Sequence, residues 1–203
     1  MILLNDNDII LKLGACNLLD VFHVAYGVSV DDLRVLSTAK YVLKGYRGNK
    51  DKIKKYGEDG IAHAIDFVEK CNAINEYDEN VFKTLSIVDQ IDVGEATLSA
   101  AACKISDSVI ATGDKRFLRS VAGTFVAQPL AGRVLCFEQI ILRCIDYLDF
   151  VEIRNRIIPA KDCDKGLQAV FGSGDYAEEK NVRYALNSYI NDLRQESGTL
   201  LLS

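Results

Sequence analysis

The chain has little of what builds a zinc site. It has two histidines, His23 and His63, and six cysteines with no C-x-x-C pair among them. The cysteines, at positions 16, 71, 103, 136, 144 and 163, stand mostly among Leu, Ile, Ala and Phe, as buried free thiols do. A structural zinc site is therefore set aside, and free thiols point to reducing cytoplasm. No basic segment followed by an apolar stretch and a cleavage site opens the chain, and no apolar run reaches the length of a membrane span. Neither a secretory leader nor a membrane partner is expected. Gly-rich phosphate loops of the Walker or dinucleotide type are absent, as is a serine in a nucleophile elbow. Basic charge is not in excess either. A net charge of -5 argues against a surface devoted to nucleic acid, while leaving room for a local basic patch.

What is present is a chain of 203 residues, 49% apolar and 26% charged, enough for one sizeable core or a core with a helical addition. Residues 1–5 read as a short buried strand. Leu18, Leu19, Val21, Phe22 and Ala25 then fit one apolar helix face. Two readings compete next: Ser29 caps a helix with Asp32 in the capping-box position, or Arg34, Val35 and Leu36 form a second strand and Ser37 opens the helix. Residues 46–58 are basic, with Arg47, Lys50, Lys52, Lys54 and Lys55 among glycines. Helical spacing resumes over 61–71, residues 72–80 read as a polar connection, and 81–88 as a short apolar element. Ser108 to Thr112 is the clearest internal strand, being rich in β-branched residues. Phe117, Leu118 and Val121 suit a short helix, and residues 124–126 and 133–136 are further strand candidates. Residues 137–148 read as a helix, and from Asp149 onward only helical patterning is visible, broken near Pro159 and at Gly172-Ser173-Gly174, with a final long helix over about 176–195. Strands alternating with helices, then a helical tail, make an α/β core with a C-terminal helical extension.

Three acidic clusters fall where strands hand over to helices or loops: Asp6 with Asp8, Asp92 with Glu95, and Asp114. In an open parallel sheet the carboxyl ends of the strands share one edge, where ligands bind. Carboxylates gathered there repel one another unless a cation is present, and oxygen-rich sites suit Mg²⁺ or Mn²⁺. Each cluster also has a plainer explanation. Asp6 and Asp8 lie in a turn-like segment, and Gly113-Asp114 is common in loops. Asp92 and Glu95 fit the N-cap and N3 positions of a helix. The division expected is that Asp92 caps while Glu95 reaches inward. Around Asp114, the Thr112 hydroxyl and the cations Lys115 and Arg116 suit metal and phosphate together. The basic stretch, Lys50 and Lys54 included, is either a solvated helix face or a track for a phosphate backbone.

Over residues 1–136 the chain resembles the PIN-domain family of metal-dependent nucleases. Residues 2–10 are similar to the family's opening strand, with Asp6 at the invariant acid and Asp8 where Asn or Ser often stands. Gly94-Glu95-Ala96 matches a helix-start signature of one branch, and Thr112-Gly113-Asp114 the strand end that carries the last acid. The resemblance implies a three-layer α/β fold with a central parallel sheet between helices. Residues 1–136 would form the nuclease domain, with a helical insertion at about 15–80, and residues 137–203 a helical extension packed on it. It also implies Mg²⁺ or Mn²⁺ held by Asp6, Glu95 and Asp114, with Asp8 auxiliary, and cleavage of single-stranded RNA by an activated water. Thr112, Lys115 and Arg116 would place the phosphate, and Lys50 and Lys54 would contact the strand. Many relatives are toxins, so a cognate antitoxin protein or a homodimer is implied, unless the helical tail fills that surface.

One departure stands out. The family supplies another Glu from its second helix, in a pattern close to Thr-x-x-Val-x-x-Glu, and here Lys44 falls at about that place. Either an insertion shifts the match or the acid is lost, leaving a PIN-like module that binds RNA or protein without cutting. The competing enzyme is a haloacid-dehalogenase-like phosphatase with Asp6 as nucleophile in Asp6-Asn7-Asp8. That family ends with Gly-Asp and a second Asp four residues on, where Leu118 stands here.

Overall fold

The opening apolar run forms β1 (Ile2–Asn5), which runs straight into α1 (Asn7–Ala15). The computed structural model describes residues 1–203. The chain continues through α2 (Leu19–Ala25), β2 (Leu33–Val35), α3 (Ala39–Lys44), α4 (Lys50–Tyr56), α5 (Glu58–Lys70) and β3 (Asn72–Ala73). Then follow α6 (Glu79–Leu85), α7 (Val93–Lys104), β4 (Ser108–Thr112), α8 (Lys115–Ala122) and β5 (Val134–Cys136). The tail is helical: α9 (Phe137–Tyr147), α10 (Phe150–Ile157), α11 (Lys165–Val170) and α12 (Glu179–Ser197), with short 3-10 segments between them.

The five strands form one all-parallel sheet in the order β3-β2-β1-β4-β5. Helices cover both faces, giving the three-layer α/β architecture expected. With the right-handed sense usual for parallel crossovers, this strand order puts α1 to α5 on one face and α6 to α8 on the other. Packing agrees: α1, α3 and α4 gather on α5, whereas α6 rests on α7. The α1–α5 approach is close because glycines face each other. A Cβ on Gly14 would lie 2.6 Å from the Gly60 carbonyl oxygen, and one on Gly60 would lie 2.7 Å from Ala15 Cα. Strand order reverses between β1 and β4, so the crevice beyond their carboxyl ends is the topological switch point of the sheet.

Several local expectations change. Of the two readings for this region the second strand expected at 34–36 is realised, shifted to Leu33–Val35. The helix after it has its N-cap at Thr38 and is not opened by Ser37, and Ser29 makes no cap bond to the backbone. The span 15–80 is not purely a helical insertion, since it carries β2 and β3. β3, inside the supposed polar connection, exists only through its register with β2, Arg34 opposite Asn72 and Val35 opposite Ala73. Residues 124–126 hold a 3-10 turn, not a strand. Thr124 Oγ1 accepts the Val126 amide at 3.3 Å, a local bond that outcompetes β propensity. The extension packs on the core, α9 against α2 and α12 against α8. Its last residues cover the β5 edge, with a bridge between Val134 and Leu201. No helix is long and apolar enough to cross a membrane.

Candidate active site

Asp6 follows β1 directly, and its amide still donates to the Ala111 carbonyl at 3.1 Å, prolonging the ladder by one residue. Thr112 closes β4, with Asp114 two residues beyond. Glu95 sits in the first turn of α7. Parallel pairing of β1 with β4 brings Asp6 and Asp114 to one edge, and the start of α7 brings Glu95 to the same cavity. Asp6, Glu95 and Asp114 line one cavity of about 350 Å³ with Asn7, Asp8, Asp92, Thr38, Lys52 and Tyr56.

The three acids differ in how far local structure already uses them. Asp114 is at the N-cap of α8, where Oδ1 accepts the amides of Arg116 at 2.7 Å and Phe117 at 3.3 Å. Oδ2 meets Arg116 Nη2 at 3.0 Å. Burial would raise its pKa, but the Arg116 side chain and these amides outweigh that and hold it below the ordinary value. Glu95 completes a capping box: Asp92 Oδ1 accepts the Glu95 amide at 2.8 Å, and Glu95 Oε2 accepts the Asp92 amide at 2.9 Å. Glu95 is only 7% exposed. Burial first, then the charges of Asp92, Asp114 and Asp6, push it up to about 8, against the pull of the Asp92 amide. Asp6 stands at the N-cap of α1 yet makes no cap hydrogen bond. Its nearest side-chain donor is the Thr112 hydroxyl, 3.4 Å from Oδ2. Burial and then the charges of Asp8 and Asp92 push Asp6 up to about 7, and the nearby amides of Asn7 and Asp8 offset only part of this.

Two mutually repelling carboxyls held near neutrality, together with Asn7 Oδ1, buried without a hydrogen-bond partner, make an oxygen-rich cluster short of positive charge. The donor set fits a hard divalent cation such as Mg²⁺ or Mn²⁺. In their present rotamers Glu95 and Asp114 are engaged in cap hydrogen bonds, Asp6 is not, and no three acids stand together as a finished coordination sphere. A cation would have to draw Glu95 and Asp114 partly from those bonds.

Other expected residues fall elsewhere. Asp8 Oδ2 pairs with Lys12 at 2.7 Å, and Asp8 Oδ1 accepts the Tyr56 hydroxyl at 3.3 Å, so Asp8 borders the cavity with its charge already met. Lys115 turns to Glu138 on α9, with its Nζ 2.6 Å from Oε1. Arg116 is held by Asp114. Lys50 and Lys54 are exposed on α4, and the cation of that helix that lines the cavity is Lys52. Lys52 Nζ lies 4.6 Å from the ring centre of Tyr46 and 6.0 Å from that of Tyr56. Lys44 pairs with Glu69 on α5 at 2.7 Å and is not part of the cavity, to which α3 presents Val42 alongside its N-cap Thr38. The sequence does not mark Asn7 or Tyr56 as site residues, and it offers Lys52 only as one member of the basic stretch. Only the phase of α4, unreadable in a run of lysines, singles out Lys52.

No family model, no curated protein and no solved structure matches this chain. Fold and site define a class by themselves: a parallel α/β protein with a carboxylate-lined cavity at its switch point.

Proposed function

We propose that the chain is a PIN-like endoribonuclease that uses Mg²⁺ or Mn²⁺ to cut phosphodiesters in single-stranded RNA. The observation that carries this reading is the convergence of Asp6, Glu95 and Asp114, from β1, α7 and the end of β4, on one cavity, with Asp6 and Glu95 pushed to about 7 and 8. A bound cation would supply charge for the scissile phosphate and a water acidic enough to act as nucleophile. Asp6, Glu95 and Asp114 would hold it, with Asn7 Oδ1 as a neutral acceptor. Thr112 orients two of them: its hydroxyl reaches Asp6 and also accepts the Asp114 amide at 3.1 Å. Lys52, which also lines the cavity, would meet a backbone phosphate, while the exposed cations Arg47, Lys50, Lys54 and Lys55 would extend that charge along the strand.

A second reading, an RNA-binding module without turnover, is favoured by α3, which offers Thr38 and Val42 to the cavity where the family places another Glu. Incubation of an unstructured RNA with Mn²⁺ separates the two. Cleavage that stops on chelation and in Asp6→Asn supports the nuclease. Retention of RNA without cleavage supports the module.

A further inference from the structure

The C-terminal extension reaches the turn that carries Asp114 through two lysines. Lys12, 6% exposed, has three ammonium protons and three acceptors within reach: Asp8 Oδ2 at 2.7 Å, Asp164 Oδ2 at 2.9 Å and the Gly113 carbonyl at 3.2 Å. The acceptors come from α1, from the extension and from the turn after β4. Asp164 is fixed from its own side too, since its Oδ1 accepts the amides of Gly166 at 2.8 Å and Leu167 at 3.2 Å at the start of α11. Gly113 lets Lys12 and Asp8 come this close, because a Cβ there would lie 2.7 Å from both Lys12 Nζ and Asp8 Oδ2.

On the other side of Asp114, Lys115 makes the second grip. Its Nζ lies 2.6 Å from Glu138 Oε1 on α9 and 4.8 Å from the ring centre of Tyr189 on α12. Glu138 is 3% exposed, and neither of its oxygens has an aligned hydrogen bond, so the Lys115 charge is what compensates it. Apolar residues would seal this interface at no desolvation cost. What ionic contacts add is direction: each of the two residues flanking Asp114 is tied to a charged group anchored in the extension.

We propose that the extension is part of the active site, with Asp164 and Glu138 acting through Lys12 and Lys115 as positioning residues that hold the Asp114 turn against Asp6. This rests on the reading of the cavity as a metal-dependent centre. Groups that orient metal ligands from behind change metal affinity by about 10–100-fold when removed.

The test uses the full chain and Mn²⁺ alone as the first probe, by calorimetric titration, followed by RNA cleavage. Asp164→Ser keeps an N-cap acceptor for α11 and removes the contact to Lys12. The double variant Lys115→Met/Glu138→Met removes the second pair whole, leaving no buried charge unpaired. The expected result is Mn²⁺ binding weakened about tenfold in either variant, with kcat reduced and KM little changed. Folded variants that bind Mn²⁺ and cleave as the unaltered protein does would overturn the positioning role alone. Failure of the unaltered protein to bind Mn²⁺ would overturn the metal-centre reading, and the positioning role with it.

Discussion

The Thr112 hydroxyl, at the end of β4, lies 3.4 Å from the Asp6 carboxylate at the end of β1. It is the nearest side-chain donor to Asp6, and at that length it is a weak one. Asp6 is thus a carboxylate placed by strand pairing and only partly compensated, by this hydroxyl and by the nearby amides of Asn7 and Asp8, against burial and the charges of Asp8 and Asp92.

The first prediction follows from that frustration. Asp6→Asn should abolish RNA cleavage and, in metal-free protein near pH 8, raise the melting temperature. At this chain length each ~1 kcal/mol gained shifts Tm by about 2–4 °C. Thermal unfolding by circular dichroism with chelator present checks it, and a lower Tm would count against the repulsion described here.

The pH dependence has a definite sign. Folding raises the pKa of Asp6 to about 7 and of Glu95 to about 8, so the folded form keeps protons that the unfolded chain has released. Their stabilising contribution is complete below the ordinary carboxylate range and is lost as pH rises through about 7 and 8. Metal-free protein should lose this part of its stability between about pH 4 and pH 8, and Asp6→Asn/Glu95→Gln should flatten the curve there. Mn²⁺ should raise Tm more at about pH 8 than at about pH 6, where protons still compete for the same oxygens.

Asp92 and Glu95 can be separated. Asp92→Ala removes the cap of α7 and should cost about 1 kcal/mol, with cleavage retained in the folded fraction. Glu95→Gln still suits the N3 position of a capping box, so Tm should be nearly unchanged while cleavage falls at least tenfold. Equal loss of activity in both would mean that Glu95 serves only the helix.

Lys52 should act on substrate and not on stability. Lys52→Ala should raise KM for RNA, leave Tm within a degree or so, and lower the slope of log affinity against log salt by about 0.7. Lys54→Ala, outside the cavity, should change KM less. Salt-titrated binding of a labelled oligonucleotide distinguishes the two.

How much of this was legible beforehand depended on range. The β4 strand was readable because Val109, Ile110 and Thr112 are β-branched, and the α7 start because Asp92 and Glu95 stand at local capping-box spacing. β3 was not, since two exposed residues become a strand only by pairing with β2. Long-range partners were equally hidden. Nothing near Lys12 in sequence announces Asp164, and nothing near Lys115 announces Glu138, so Lys115 looked like a free cation for phosphate. Lys44 looked like a replaced ligand because the offset of α3 relative to the cavity was unknown, and Glu69 holds it elsewhere.

The most direct measurement is Mn²⁺ titration of the unaltered protein beside Asp6→Asn and Glu95→Gln at about pH 8, where Asp6 has released most of its protons and Glu95 about half. The account predicts saturable binding by the unaltered chain, with affinity reduced by at least tenfold in each variant. Equal binding by all three proteins, or none by the unaltered chain, would contradict it.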